Sequence, residues 1–462
     1  MNLHRAGRVV AVLAAVCGAG LGTAGAATAA AAQTAAAQTA AAQTVAWGTT
    51  SSAPAGARGE LFGVAAASTA DVLAVGGYNP GAPPTAVLTK PYAEHWDGAG
   101  WSAARVPLGP VYPAGEQAAQ LNGVAEAGPS DGWAVGTVSD TSSLASRTLA
   151  YHWDGTAWTR SPTPNPAGPA LGNQLDAIAA RATDDVWAAG GDSFPAVSLL
   201  LHWNGSTWRR VSVPDAGTLN AVAVAPGHVW VAGGNQVEQS DGTTWAALPP
   251  LPVPAQSSLV IAGLADTGAG LWAVGTLESS CGEGGICPRS YAALWNGATW
   301  TAAPAGAGDD GLTGVVAAGS TVLATSGPGV LRLSLAGSTA QVTPVPGPAQ
   351  LTAIAADPAG NPWAVGWTAT RTKVTPAIIN APGIGQGGII VTTGASGATV
   401  TWTGPAAGAA STDPGGRLAV GGLPDGSYTI TAGLPGCPPR TVPATVTAGV
   451  ATAVRARISC PA

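Results

Sequence analysis

The sequence predicts an all-β fold: a seven-bladed β-propeller of four-stranded blades, followed by a small C-terminal β-sandwich. Three observations carry this prediction. First, the 462-residue chain holds 66 Gly and 38 Pro, yet is 46% hydrophobic and only 9% charged. Low charge with high hydrophobicity argues against disorder, and Gly and Pro among many β-branched residues point to short strands joined by turns. Second, tryptophan is abundant where phenylalanine is almost absent, 17 against 2, and its positions are periodic. Third, one motif recurs with starts roughly 40–60 residues apart, the range of propeller blades.

Each copy opens on Leu-x-x-Val/Ile-Ala, turns, and continues as Asp-Val-Trp-Ala-Val-Gly-Gly or a variant. A variable loop leads to His-Trp-Asp-Gly-x-x-Trp and a Pro-rich exit. Copy one runs through Leu61, Asp71–Gly77, His95–Gly98 and Trp101. Copy two has Leu121, Asp131–Gly136, His152–Gly155 and Trp158, and copy three has Leu175, Asp185–Gly191, His202–Gly205 and Trp208. Copy four has Leu219, His228–Gly234, Asp241-Gly242 and Trp245. Copy five is placed on Leu264, Leu271–Gly275, Trp295–Gly297 and Trp300. Copy six is degenerate (Leu312, Thr321–Gly327, Val330–Ala336), and copy seven has Leu351, Asn361–Gly366 and Pro376–Asn380.

These four pieces read as four strands. Asp-Gly and Asn-Gly are short-hairpin signals because their turns need positive φ. A hairpin there sets the two Trp opposite each other, a stabilising cross-strand pair, and wedges blade against blade. No blade can bury its faces alone, so the ring must close. Copy seven has no fourth strand in line, and the segment around Trp47 resembles a spare one. The expectation is that it completes blade seven, with Ile389–Thr393 as the competitor.

The paired glycines after the second strand (Gly76-Gly77, Gly190-Gly191, Gly233-Gly234) and the Trp opening the fourth resemble kelch repeats and the galactose-oxidase-type propeller superfamily over residues 45–381. Copies two, five, six and seven lack the second Gly. Galactose oxidase holds copper through Tyr and His with a Cys–Tyr cross-link. Here the propeller's cysteines are Cys281 and Cys287, with Tyr291 the nearest tyrosine, so that resemblance implies no copper site. Residues 382–388 read as a Gly-rich hinge. Beyond them, Thr412–Leu418 and Gly422–Thr429 within residues 389–462 resemble carboxypeptidase regulatory-like, transthyretin-like sandwiches. That family implies a spacer or adhesion role, not catalysis.

The N-terminus reads as an export signal over residues 1–28: Arg5 and Arg8 without an acid, the apolar run Val9–Leu21, then Ala24-Gly25-Ala26. Residues 29–44 are a low-complexity Ala/Gln/Thr spacer. The apolar run is short for a membrane span, and no other segment could make one. Export makes disulfides reasonable. Local pairing, Cys281 with Cys287 and Cys437 with Cys460, is the simplest of three connectivities. A net charge of −6 without a basic stripe disfavours nucleic acid.

No catalytic constellation is legible. His95, His152 and His202 share one repeat position and so read as structural, and repeat positions around a ring do not converge on a metal. Asp71, Asp131 and Asp185 read as caps of turn N–H groups. Neither a cofactor nor a metal is implied. Function in such folds resides in loops at one channel mouth. The long loops between second and third strands carry Tyr78, Tyr92, Arg147, Arg289 and Tyr291 as candidate binding residues. The function expected is that of a secreted, monomeric, non-enzymatic binding or scaffold protein recognising a glycan or an extracellular protein. The alternatives are an extracellular carbohydrate-active lyase or oxidase working at the channel mouth, and a structural envelope protein.

Overall fold

The computed structural model describes residues 48–49 and 58–460, except 81–86, 110, 112–116, 129, 144, 167–171, 194–195, 215, 282–284, 304–309, 320, 336–338, 341–348, 372, 381–386, 413–415, 424–425 and 447–450. The leader and spacer expected over 1–44 lie outside them. The chain is a seven-bladed β-propeller of antiparallel blades. Blade one is Arg58–Ser68, Asp71–Asn79, Lys90–Trp96 and Trp101–Ala104. Blades two to six open on Gln117–Gly128, Asn173–Ala182, Leu219–Ala225, Ser257–Asp266 and Gly314–Ala318, and blade seven on Ala349–Ala356.

The first strand of each blade packs against the first strand of the next, and that of blade seven against that of blade one, so the first strands form the inner wall of a closed ring. Closure is double. Val374 of blade seven bridges Arg58 of blade one. The N-terminal strand Gly48–Thr49 pairs antiparallel with Asn380 and Ile379, supplying the missing fourth strand. The competing strand, with Ile389, pairs elsewhere. Trp47 itself lies outside the described residues.

The repeat glycines have one cause. In six blades the first strand carries a β-bulge just after its Leu or Ile: at Leu61, Leu121, Leu175, Leu219, Ile261 and Leu351. An unpaired extra residue bends the strand and presses its backbone onto the partner. A Cβ on Gly76 would lie 1.9 Å from the Glu60 carbonyl oxygen, on Gly136 2.1 Å from that of Gln120, and on Gly366 1.8 Å from that of Gln350. Blade six has no bulge in its first strand and carries Thr325 opposite Gly314, which accounts for its degenerate motif. In blade five the bulge follows Ile261, so the repeat begins there and the placement on Leu264 is corrected by three residues. Two residues beyond each Leu, small side chains let neighbouring first strands touch: a Cβ on Gly63 would sit 3.0 Å from Gly123 Cα, and one on Gly314 3.3 Å from Ala353 Cα.

On the opposite side, the third-to-fourth-strand turns have positive φ at Gly98, Gly155, Gly205, Gly242 and Gly297. Asp97, Asp154, Asn204, Asp241 and Asn296 cap them from within. These turns set Trp96 opposite Trp101, Trp153 opposite Trp158, Trp203 opposite Trp208 and Trp295 opposite Trp300. The rings also bridge blades: Trp133 lies 4.6 Å from Trp203, and Trp363 5.6 Å from Trp96 across the closing seam.

The C-terminal module is a two-sheet β structure. Gly387–Thr392 lies between Arg417–Leu423 and Ala451–Arg455, and a second sheet runs Gly408–Ser411, Thr399–Thr403, Gly426–Gly433, Arg440–Val446. Its core gathers Ile389, Val391, Val400, Tyr428, Ile430 and Val454. Both cysteine pairs lie at disulfide distance, with Cα–Cα separations of 5.7 Å for Cys281–Cys287 and 4.7 Å for Cys437–Cys460. A link over 23 residues restricts the unfolded chain, so the double variant Cys437→Ser/Cys460→Ser should lose about 3 kcal/mol of module stability, read from its own denaturation transition.

Candidate functional site

The bulges do more than bend strands. A bulged residue leaves the ladder, and on the innermost strand its side chain can reach the first strand of the next blade. Phe62, Asn122, Asp176, Asn220, Ala262 and Thr352 hold this place. The residue just before each Leu or Ile lies one step nearer the end carrying the second-to-third-strand loops: Glu60, Gln120, Gln174, Thr218, Val260 and Gln350. Apart from Phe62 these two tiers are polar from blade seven through blade four, a pattern hidden inside a motif whose variable positions look interchangeable.

The polar residues form a ladder. Gln120 Nε2 donates to Asn122 Oδ1 at 2.7 Å, and Asn122 Nδ2 donates to the Leu175 carbonyl at 2.8 Å and to Asp176 Oδ1 at 3.4 Å. Gln174 Nε2 donates to Asp176 Oδ2 at 2.9 Å. On blade one, separately from this ladder, Arg58 Nη2 meets Glu60 Oε1 at 2.6 Å. Burial pushes the Glu60 carboxyl above its ordinary range, against the pull of Arg58. Both carboxylates are nine-tenths buried or more, Glu60 at 7% and Asp176 at 9% exposure. Thr352 Oγ1 donates to the Leu61 carbonyl at 2.7 Å, carrying the same cross-blade bond over the closing seam.

The expected binding residues are redistributed. The second and third strands run farther than the sequence suggests, so Tyr92, Arg147, Arg289 and Tyr291 stand in strands and not in loops. Tyr92 is buried, its hydroxyl donating to Glu94 at 2.6 Å. Tyr291 is buried too, its hydroxyl donating to the Pro252 carbonyl at 3.3 Å, and burial pushes its pKa up to about 12. Their strand positions turn both rings into the core because side chains alternate across a sheet. Tyr78 is half-buried, at the end of its strand, its ring 5.8 Å from Tyr92. Arg147 pairs in register with Val138, and Arg289 is exposed opposite Leu277. Beside the Cys281–Cys287 loop an open groove of about 400 Å³ is lined by Ser258, Glu278, Ser280 and Ile286. Alternation puts Arg289 on the other sheet face from Glu278, so the candidates do not converge on one place.

On the opposite side of the ring, the repeated histidines are bound in their own blades. His95 Nε2 lies 2.8 Å from Asp71, His152 2.8 Å from Asp131, and His202 3.0 Å from Asp185. The three aspartates are therefore first of all histidine partners, which corrects their reading as caps of turn N–H groups; Asp71 also accepts from the Ser130 amide of blade two. In blade four the pair is reversed, with Gln239 Nε2 3.3 Å from His228 Nδ1. Among the described residues no group of three or more His, Cys, Asp or Glu is placed to hold a metal ion.

No family model and no curated protein matches the chain. Similar solved structures include a YCF48 bound to a D1 peptide, 13% identical with 72% of this chain and 96% of that chain covered (TM-score 0.46). A streptogramin B lyase is 12% identical over 72% of this chain and 98% of that one (TM-score 0.46). An α-L-arabinanase of Penicillium chrysogenum complexed with arabinobiose is 11% identical over 69% and 92% (TM-score 0.41). The fold assignment stands on the strand pairing, the closure and the repeat of this chain itself.

Proposed function

We propose that this chain is an exported, non-catalytic recognition protein that takes its ligand, a glycan or an extracellular protein, at the axial mouth of the propeller. The observation that supports this reading is the polar ladder from Gln120 to Asp176, with the Arg58–Glu60 pair on the neighbouring blade. Buried polar groups on an inner rim are costly to assemble, and a ladder joining blades two and three through side chains exceeds what closing the ring needs. Residues 1–28 act as the leader, 29–44 as a spacer, 45–381 as the recognition domain of kelch or galactose-oxidase type, and 389–462 as a regulatory-like sandwich serving as a spacer; the hinge expected over 382–388 shortens to 382–386, because Gly387 and Gly388 pair within the sandwich sheet. Two cysteine pairs at disulfide distance suit an oxidising exterior.

The test is a glycan array and a pull-down of extracellular proteins with the mature chain. Binding is expected, and Asp176→Asn, which keeps shape while removing charge, should weaken it about tenfold. Binding indifferent to Asp176→Asn and Gln120→Ala in folded protein would dismiss the mouth. The carbohydrate-active enzyme reading gains support from the same two mouth carboxylates, Glu60 and Asp176. Turnover of a bound glycan that vanishes in Asp176→Asn while binding persists is the result that would select it.

A further inference from the structure

At the glycine that follows each bulge partner, blades one and three are tightly filled from outside. A Cβ on Gly77 would lie 3.1 Å from Gln120 Cβ of blade two, and a Cβ on Gly191 3.0 Å from Thr218 Cα of blade four. This position therefore abuts the next blade at the mouth. The corresponding residues elsewhere are Thr137, Gly234, Thr276 and Ser326, all small. Blade seven alone carries a large one, Trp367, paired in register with the exposed Gln350.

Strand alternation settles where Trp367 faces. Trp363 and Val365 of the same strand are buried against Leu61, Ala74 and Tyr92 of blade one, so Trp367 also turns toward blade one. Tyr78 packs on the edge of that same cluster. Trp367 and Tyr78, both half-buried, thus flank the mouth end of the seam between blades seven and one. The Arg58–Glu60 pair stands on the first strand of blade one, on the sheet face turned to blade two, Glu60 lying in register with Gly77.

We infer that this seam is a saccharide subsite: Trp367 and Tyr78 take the apolar face of a sugar ring, and the Arg58–Glu60 pair and the Gln120–Asp176 ladder take the hydroxyls of a neutral glycan lying across the mouth. The inference rests on the mouth reading above and names its ligand class. Indole and phenol rings present an apolar face with a polar tip, which matches the axial C–H face of a pyranose. Planar amides and carboxylates offer paired donors and acceptors to vicinal hydroxyls. Glu60 is neutralised by Arg58, and Asp176 is held by Gln174 and Asn122. The charges are therefore already partnered, and an uncharged polyol fits better than an anion or a cation.

The experiment is calorimetric titration of the mature chain with soluble neutral gluco-, xylo-, manno-, galacto- and chito-oligosaccharides. At least one series should bind. Trp367→Ala should weaken it about tenfold and Tyr78→Ser about threefold, the range of an aromatic contact. Trp367→Phe should stay within threefold, and Arg209→Ala, on the outer strand of blade three, should change nothing. If Trp367→Ala perturbs folding, Tyr78→Ser and Trp367→Phe decide. No binding across the panel, or binding indifferent to Trp367 and Tyr78, overturns the subsite. If a protein partner is then captured and lost in Asp176→Asn, the saccharide subsite falls while the mouth reading stands. If sugars bind and ignore every mouth variant, both fall.

Discussion

Gly76→Ala is expected to cost about 3 kcal/mol or more and to prevent blade one from closing on its neighbours. A Cβ there would lie 1.9 Å from the Glu60 carbonyl oxygen and 2.7 Å from Leu61 Cα. Both are backbone atoms of the bulged strand, so no rotamer change relieves the overlap. The strand would have to surrender its bulge, and with it the cross-blade contacts that the bulge arranges. Gly100→Ala, with nothing within 4 Å of its Cβ, should stay within about 0.5 kcal/mol. Chemical denaturation of the two variants against the parent checks this. Equal midpoints for Gly76→Ala and the parent would show that the bulge is not a fixed feature of the blade.

Glu126→Met is expected to stabilise the protein at alkaline pH and to be nearly neutral near pH 4. Glu126 lies on the first strand of blade two opposite Gly132, whose Cβ would meet Leu73 of blade one at 2.5 Å. The carboxyl is enclosed between the two blades. Burial first, and then the Asp71 carboxylate, push its pKa from 4.5 up to about 9, with the Ala67 amide a weak counterweight. The sign follows from linkage. Below about 4.5 both folded and unfolded chains hold the proton, and Glu126 has no pH-dependent cost. As pH rises the unfolded chain ionises while the folded one does not, so stability falls until the folded pKa is reached. With 1.36 kcal/mol per pH unit, the fully expressed effect is bounded at about 6 kcal/mol; relaxation of the seam reduces it. Unfolding midpoints of parent and variant at pH 4, 6 and 8 should diverge in that order. Parallel curves would mean that Glu126 ionises freely in the folded state.

Much of the fold was legible before any coordinates. Trp and Asp-Gly signals mark hairpins because tight turns need positive φ and aromatic pairs need a register, both local requirements. Gly48–Thr49 filling blade seven followed from counting strands. The candidate site was legible only in part. Tyr92 and Tyr291 look like loop residues because their strands extend past the repeat motif, and nothing local marks where such a strand begins. Asn122, Asp176 and Trp367 occupy the variable positions of the repeat, where a reader expects noise.

The sequence by itself determined the repeat, the four-stranded unit, the turn chemistry and the need for closure, since each depends on neighbours within a few residues or on the count of units. Only the tertiary structure decided which of the repeat's variable residues meet. Asn122 and Asp176 are far apart along the chain and come together because the bulge frees one residue per inner strand to reach the next blade, which no single blade contains.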